Sequence, residues 1–144
     1  MADLAAGKST GRRSPLIKPG SEDEIQATFF EWIDLYKEQK GFYRLQACYA
    51  IPNVGSYARA QNAKLKLTGR RPGVPDVHLP VESADGLDGG LWIEFKKPGE
   101  KPTAVQLEWH QRLRNLGHRV KVCTSWTDAA NIVIEYLGLL LEKL

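Results

Sequence analysis

Apolar positions change their period several times along the 144 residues, and each change marks an element. From Ser21 to Gly41 (SEDEIQATFFEWIDLYKEQKG), residues Ile25, Phe29, Trp32, Ile33 and Tyr36 form a stripe at helical spacing. Ser21 with Glu24 three residues on reads as a capping box, and Gly41 as the stop. Next, FYRLQACYAIPN (42–53) alternates Tyr43, Leu45, Ala47, Tyr49 and Ile51, which predicts a strand ended by Pro52-Asn53. SYARAQNAKLKLTG (56–69) predicts a short basic helix closing on Gly69. After the stiff loop RRPGVP, segments Asp76–Pro80 and Leu91–Lys96 predict a hairpin around SADGLDGG. PTAVQLEWHQRLRNLGH (102–118) predicts a helix with Pro102 near its first turn, Gly117 at its end and an inner stripe of Val105, Trp109, Leu113 and Leu116. RVKVCTS is a further strand, and WTDAANIVIEYLGLLLEKL a final amphipathic helix capped near Thr127. The expected fold is α/β, a mixed central sheet flanked by helices, because the late strand–helix–strand unit needs a right-handed crossover. Residues 1–20 are aperiodic and rich in Gly, Ser, Pro, Lys and Arg, and read as a flexible basic tail ahead of one domain, 21–144.

Composition narrows the class. At 42% hydrophobic and 26% charged the chain has the balance of a globular domain, not a disordered segment. No run of about 18 apolar residues exists, so no membrane-spanning helix is expected. The start MADLAAGKST lacks the apolar core of a secretory signal, which predicts a cytoplasmic protein that stays inside the cell that makes it. Cys48 and Cys123 lie far apart and are expected to be reduced thiols. The histidines (His78, His110, His118) show no metal-binding spacing and are given no metal role. The net charge of +3 is unevenly spread. Between Arg59 and Arg71 stand Arg59, Lys64, Lys66, Arg70 and Arg71 without an acid, and Arg112, Arg114, Arg119 and Lys121 follow later. Such clusters suit phosphate contacts, although a solvated helix face would look the same.

The chemistry is concentrated in the hairpin. On a strand, side chains alternate, so Glu94 and Lys96 share one side while Ile93 and Phe95 share the other. If Asp76 opens the neighbouring strand, its carboxylate converges on Glu94. Two carboxylates in a dry cleft repel unless a cation stands between them. Asp76, Glu94 and the backbone carbonyl of Phe95 would suit a hard ion such as Mg²⁺, with Lys96 placed to steer and polarise a water nucleophile. The competing structural reading is an edge-strand Glu94–Lys96 ion pair with Asp76 as a turn acid.

Asp76 followed by Glu94-Phe95-Lys96 resembles the PD-(D/E)xK nuclease motif, with Val74-Pro75-Asp76 as its first half. Together with IPN (51–53), GRRPGVPD (69–76), WIEFK (92–96), PTAVQLEWHQRL (102–113) and the Gly117–Val122 strand, the chain resembles the small stand-alone form of the virus-type replication–repair nuclease (VRR-NUC) domain from about residue 22 to 137. The resemblance implies a restriction-endonuclease-like core, Mg²⁺- or Mn²⁺-dependent phosphodiester hydrolysis, and DNA as substrate. It implies Asp76 and Glu94 as metal ligands, Lys96 as the catalytic lysine and Gln106 as a further active-site residue. Glu22 matches the acid opening the family's first helix and would complete the metal site, with Glu24 its rival. Asn53, Arg59, Lys64, Lys66, Arg70 and Arg71 are the expected DNA contacts, Arg59 foremost. The tryptophans read as core residues.

The expectation is thus a structure-directed endonuclease on branched DNA such as a four-way junction, acting as a homodimer. The apolar IVIEYLGLLLEKL segment is a candidate interface, unless it packs on its own core. The alternative class is a non-catalytic DNA-binding or assembly module of a replication or repair complex.

Overall fold

A computed structural model of the chain describes residues 15–52 and 59–141. Asn53, an expected DNA contact, lies outside the described residues. The elements run α1 (Glu22–Tyr36), a 3₁₀ turn (Tyr43–Ala47), β1 (Tyr49–Ala50), α2 (Arg59–Leu67), β2 (Val77–Leu79), β3 (Leu91–Phe95), α3 (Ala104–Asn115), β4 (Arg119–Cys123) and α4 (Trp126–Leu137). The four strands form one sheet in the order β1-β2-β3-β4. The hairpin is antiparallel, with Val77 opposite Ile93, and β3 runs parallel to β4 through the α3 crossover. No helix among the described residues is long and apolar enough to cross a membrane.

Alternation along β3 divides the two faces of the sheet. Leu91, Ile93 and Phe95 are all buried and join Phe29, Trp32 and Ile33 of α1 with Ala130, Val133 and Ile134 of α4 in one core. The rings of Phe29 and Phe95 meet at 5.7 Å. The apolar side of α4 is therefore spent on the chain's own core and is not free for a partner. Trp92, Glu94 and Lys96 point the other way, toward α3.

Several local expectations need correction. The predicted strand over 42–53 is mostly the 3₁₀ turn, and only Tyr49 and Ala50 pair with β2. Leu45 turns inward and is fully buried, with Phe42 and Cys48 packed against the same core, while Tyr43 is 70% exposed. Helix α1 ends at Tyr36, before Gly41, and turns at Gln39 and Phe42 carry the chain on to a positive φ at Gly41. Ser21 caps α1 by accepting from the Glu24 amide, but the Glu24 carboxylate reaches the Gly20 amide, not the Ser21 amide. On α3 the buried residues are His110 and Leu113, whereas Val105 and Leu116 are exposed. Ser125 rather than Thr127 caps α4. Of the tryptophans, Trp32 is core and Trp126 packs against it, while Trp109 is half-buried beneath the Arg112 guanidinium at 4.6 Å. Both cysteines are free.

The loop between β2 and β3 is tied to α4 by Tyr136, whose hydroxyl donates to the Val81 carbonyl at 2.6 Å. Tyr136→Phe removes this buried donor and should cost about 1–2 kcal/mol. The check is the midpoint of urea denaturation, expected to fall with its slope unchanged.

Candidate active site

The antiparallel register carries straight into the site. One step beyond the Val77–Ile93 pair, Asp76 stands opposite Glu94, on the same side of the sheet. Both are buried, with Asp76 4% and Glu94 1% exposed. Asp76 is fixed at two points: its Oδ2 accepts from the Phe95 amide at 2.7 Å, and its carbonyl accepts from the Ile51 amide. Because β3 is an inner strand, the edge-strand reading of Glu94 and Lys96 does not hold, and Asp76 is no surface turn acid.

Lys96 lies one alternation beyond Glu94 and is itself buried. Its Nζ stands 3.7 Å from Glu94 Oε1 and 3.8 Å from Glu22 Oε1. The N-terminal turn of α1 thus delivers Glu22 to the ends of the strands. Glu24 is occupied with the Gly20 amide, so of the two rival acids Glu22 is the one at the site.

Gln106 enters from α3. Its Oε1 accepts from the Thr103 amide at 2.8 Å, closing a capping box whose other half is Thr103 Oγ1 accepting from the Gln106 amide. That grip leaves the side-chain amide aimed at the sheet, where Nε2 donates to Glu94 Oε1. One residue both caps a helix and holds a buried carboxylate. The loop delivering Asp76 meets the same turn of α3. Gly73 has φ +87°, and a Cβ there would fall 2.6 Å from Val105 Cγ1 and 2.9 Å from its carbonyl. Only glycine permits that approach.

The second oxygen of Glu94, Oε2, is buried without a hydrogen-bond partner. Burial pushes the Glu94 carboxyl up to about 8, with the Asp76 charge adding and the Lys96 charge opposing. Glu22 is raised as well, by burial first, against the pull of Lys96 and with help from a hydrogen bond to Glu100. An unpartnered, buried carboxylate oxygen beside a second buried carboxylate is what a hard cation would satisfy, and the donors are all oxygen. Asp76 and Glu94 are the carboxylates whose chemistry fits such an ion. Among the described residues no three His, Cys, Asp or Glu side chains form a group that could hold a metal. In this arrangement the Lys96 ammonium is the counter-charge shared by Glu94 and Glu22.

The expected DNA contacts lie apart from this cluster. Helix α2 buries none of its residues and exposes Arg59, Lys64 and Lys66. Arg71 is exposed too, while Arg70 is half-buried and donates to Asn62 Oδ1 at 3.3 Å. Two residues at the site escaped the sequence reading. Thr103 was legible, since T-x-x-Q ahead of a helical stretch is a capping-box signature. Glu100 stands in the loop KPGEKP, where no spacing signals a role.

A mixed sheet bearing a carboxylate on each strand of its inner hairpin, with a lysine two residues after the second, is a restriction-endonuclease-like core. The chain belongs to the VRR-NUC domain family, which it matches over residues 14–126. Its fold is similar to that of a solved "VRR_NUC domain protein", with a TM-score of 0.68 at 26% identity, covering 85% of this chain and 93% of that one. It is also similar to "Putative nuclease p44" of Acyrthosiphon pisum secondary endosymbiont phage 1, 49% identical over 59 residues. That match takes in 40% of this chain and 56% of the phage protein, so the chain spans little more than half of that relative.

The raised Glu94 carboxyl sets the sign of a pH effect. Between the ordinary carboxyl value of 4.5 and about 8 the folded chain holds a proton that the unfolded chain has lost. Stability is therefore greatest at the acid end of that window and declines as pH rises through it. With divalent ions chelated, Tm should fall by several degrees between about pH 5 and about pH 8. Glu94→Gln should remove most of the fall. An undiminished slope in that variant would assign the effect elsewhere.

Proposed function

We propose that this chain is a Mg²⁺- or Mn²⁺-dependent deoxyribonuclease that hydrolyses phosphodiester bonds in branched DNA. The observation carrying the reading is the buried, unpartnered Glu94 Oε2, set beside Asp76, with the other oxygen of Glu94 3.7 Å from the Lys96 ammonium. Family membership and the name of the phage relative support nuclease chemistry.

Asp76, Glu94 and the Phe95 carbonyl would hold the ion, with Glu22 available to a second. When bound, the ion supplies Lewis-acid polarisation of the phosphate and a lowered pKa for the attacking water. The chain's own part is positioning and charge. Gln106 keeps Glu94 in one rotamer through its own clamp on Thr103. Lys96 is a triple donor held nearly free of solvent, able to orient a water toward the phosphorus and to offset charge developing on a phosphate oxygen. Arg59, Lys64, Lys66 and Arg71, with Arg70 behind them, form a solvated basic surface suited to gripping phosphates without reading sequence. Contacts of this kind, made to phosphates and not to bases, fit cutting directed by DNA shape. A homodimer would present two such sites to the two sides of a four-way junction.

Lys96→Ala should lower the cleavage rate at least about 100-fold in Mg²⁺ while leaving affinity for DNA within about twofold. The assay compares linear duplex, flap, splayed-arm and four-way-junction DNA, with Asp76→Ala beside it. Full activity in both variants would show that the acids and lysine are structural. If wild-type protein binds branched DNA yet cuts none of the substrates, the chain is a binding module.

Reversing Arg59, Lys64 and Lys66 should weaken DNA binding and flatten the dependence of log K on log salt by about 0.9 for each phosphate no longer neutralised. A salt slope equal to the wild type's would place the DNA on another surface. Sedimentation of the free protein and of its junction complex reports whether two copies act together.

A further inference from the structure

The histidines have no metal-binding spacing along the chain, yet two of them meet in space. His78 lies on β2, and His118 immediately precedes β4. Their rings are 6.1 Å apart with planes at 69°. The His78 ring stacks on Trp92, centroids 3.8 Å apart and planes 11° from parallel, and its Nδ1 is 2.8 Å from the Tyr49 hydroxyl. By alternation His78 and Trp92 share the face of the sheet that carries Asp76 and Glu94, one step further from the proposed nuclease site.

The other nitrogens of this pair, His78 Nε2 and His118 Nδ1, are both buried and have no hydrogen-bond partner. Both lie against the Gly90 backbone: a Cβ built there would fall 2.7 Å from His118 Nδ1 and 3.3 Å from His78 Nε2. Gly90 is not among the glycines with positive φ, so its backbone does not demand glycine. What the position needs is the absence of a side chain. Two backbone bonds, Gly89 N to the Gly117 carbonyl at 2.8 Å and Arg119 N to the Gly90 carbonyl at 2.9 Å, hold the two segments at this spacing.

We propose that His78 Nε2 and His118 Nδ1 are ligands for a borderline transition-metal ion of the Zn²⁺ or Ni²⁺ kind, held between the two rings with water completing its coordination. Two buried nitrogens without partners are costly, and a single shared cation satisfies both. The hydrogen bond between His78 Nδ1 and Tyr49, with the ring donating, leaves the Nε2 lone pair for the ion. Such an outer partner normally orients a metal-ligating imidazole. Stacking on Trp92 fixes the ring plane. Nitrogen donors favour this class of ion over Mg²⁺, which prefers the oxygen set around Glu94. The ion would tie β2 to the entry of β4, so its effect is on stability, and the proposal stands independently of the nuclease reading.

The test uses the full chain, stripped of metal and then held in millimolar Mg²⁺ so that the oxygen site is satisfied. Zn²⁺ titrated by calorimetry should bind once per chain and raise Tm. His78→Ala and His118→Ala should each weaken Zn²⁺ at least about tenfold, whereas Asp76→Ala should leave it unchanged. In the native protein, imidazole ¹⁵N resonances of His78 and His118 should shift with Zn²⁺ while those of His110 stay still, a reading that needs no variant. No Zn²⁺ binding, binding that survives both histidine variants, binding lost in Asp76→Ala, or a shift confined to His110 would each overturn the proposal.

Discussion

A carboxylate on an inner strand, almost wholly out of water, must find compensation, and the arrangement around Glu94 is that compensation. Lys96 supplies charge, Gln106 supplies a donor, and one oxygen is left over. Each of these depends on something further out. Gln106 is aimed by its bond to the Thr103 amide, and α3 lies close enough to the Asp76 loop only because Gly73 has no Cβ. The site is therefore specified by backbone approach as much as by its acids. A change at Gly73 would disturb Asp76 and Gln106 together, since the clash is with backbone atoms of Val105 that cannot rotate away.

The sheet separates folding from chemistry by face. One side of β3 contributes Leu91, Ile93 and Phe95 to a continuous apolar core with α1 and α4. The other side carries Trp92 together with Glu94 and Lys96, two charged groups that no apolar core would accept. Period-two alternation alone puts both sets on five or six residues of chain. The apolar face supplies the burial free energy, and the polar face can then hold like charges in proximity at a tolerable loss.

Much of this was legible in the sequence because the signals were periodic. The hairpin, the α3 crossover, α4 and the alternation of Glu94 with Phe95 all follow from spacing, and register then brought Asp76 opposite Glu94. What failed was what period cannot report. The run from Phe42 to Pro52 alternates like a strand, yet Leu45 is its one fully buried residue, Tyr43–Ala47 coil as a 3₁₀ turn and only Tyr49 and Ala50 pair. The inner stripe of α3 was expected to be Val105, Trp109, Leu113 and Leu116 because they are apolar. Leu113 is indeed buried, but the helix turns Gln106 and His110 inward beside it, since the neighbour it must meet is a polar sheet face. The nearness of His78 to His118, forty residues apart, is set by tertiary structure and left no trace in spacing.

Donor chemistry gives that one face two distinct characters. At the end reached by Asp76, Glu94 and the α1 terminus the donor atoms are oxygens, two of the carboxyls raised by burial first and by neighbouring carboxylates. At the end reached by His78 and His118 they are imidazole nitrogens set among aromatic rings. Hard ions dehydrate reluctantly and gain little from imidazole, whereas borderline ions gain most from it. Strands β2 and β3 thus present an oxygen environment and a nitrogen environment one alternation apart, and the type of donor, more than the size of any cavity, is what would keep two classes of cation from exchanging places. Trp92 stands between them on β3, its ring against His78 and its backbone two residues from Glu94.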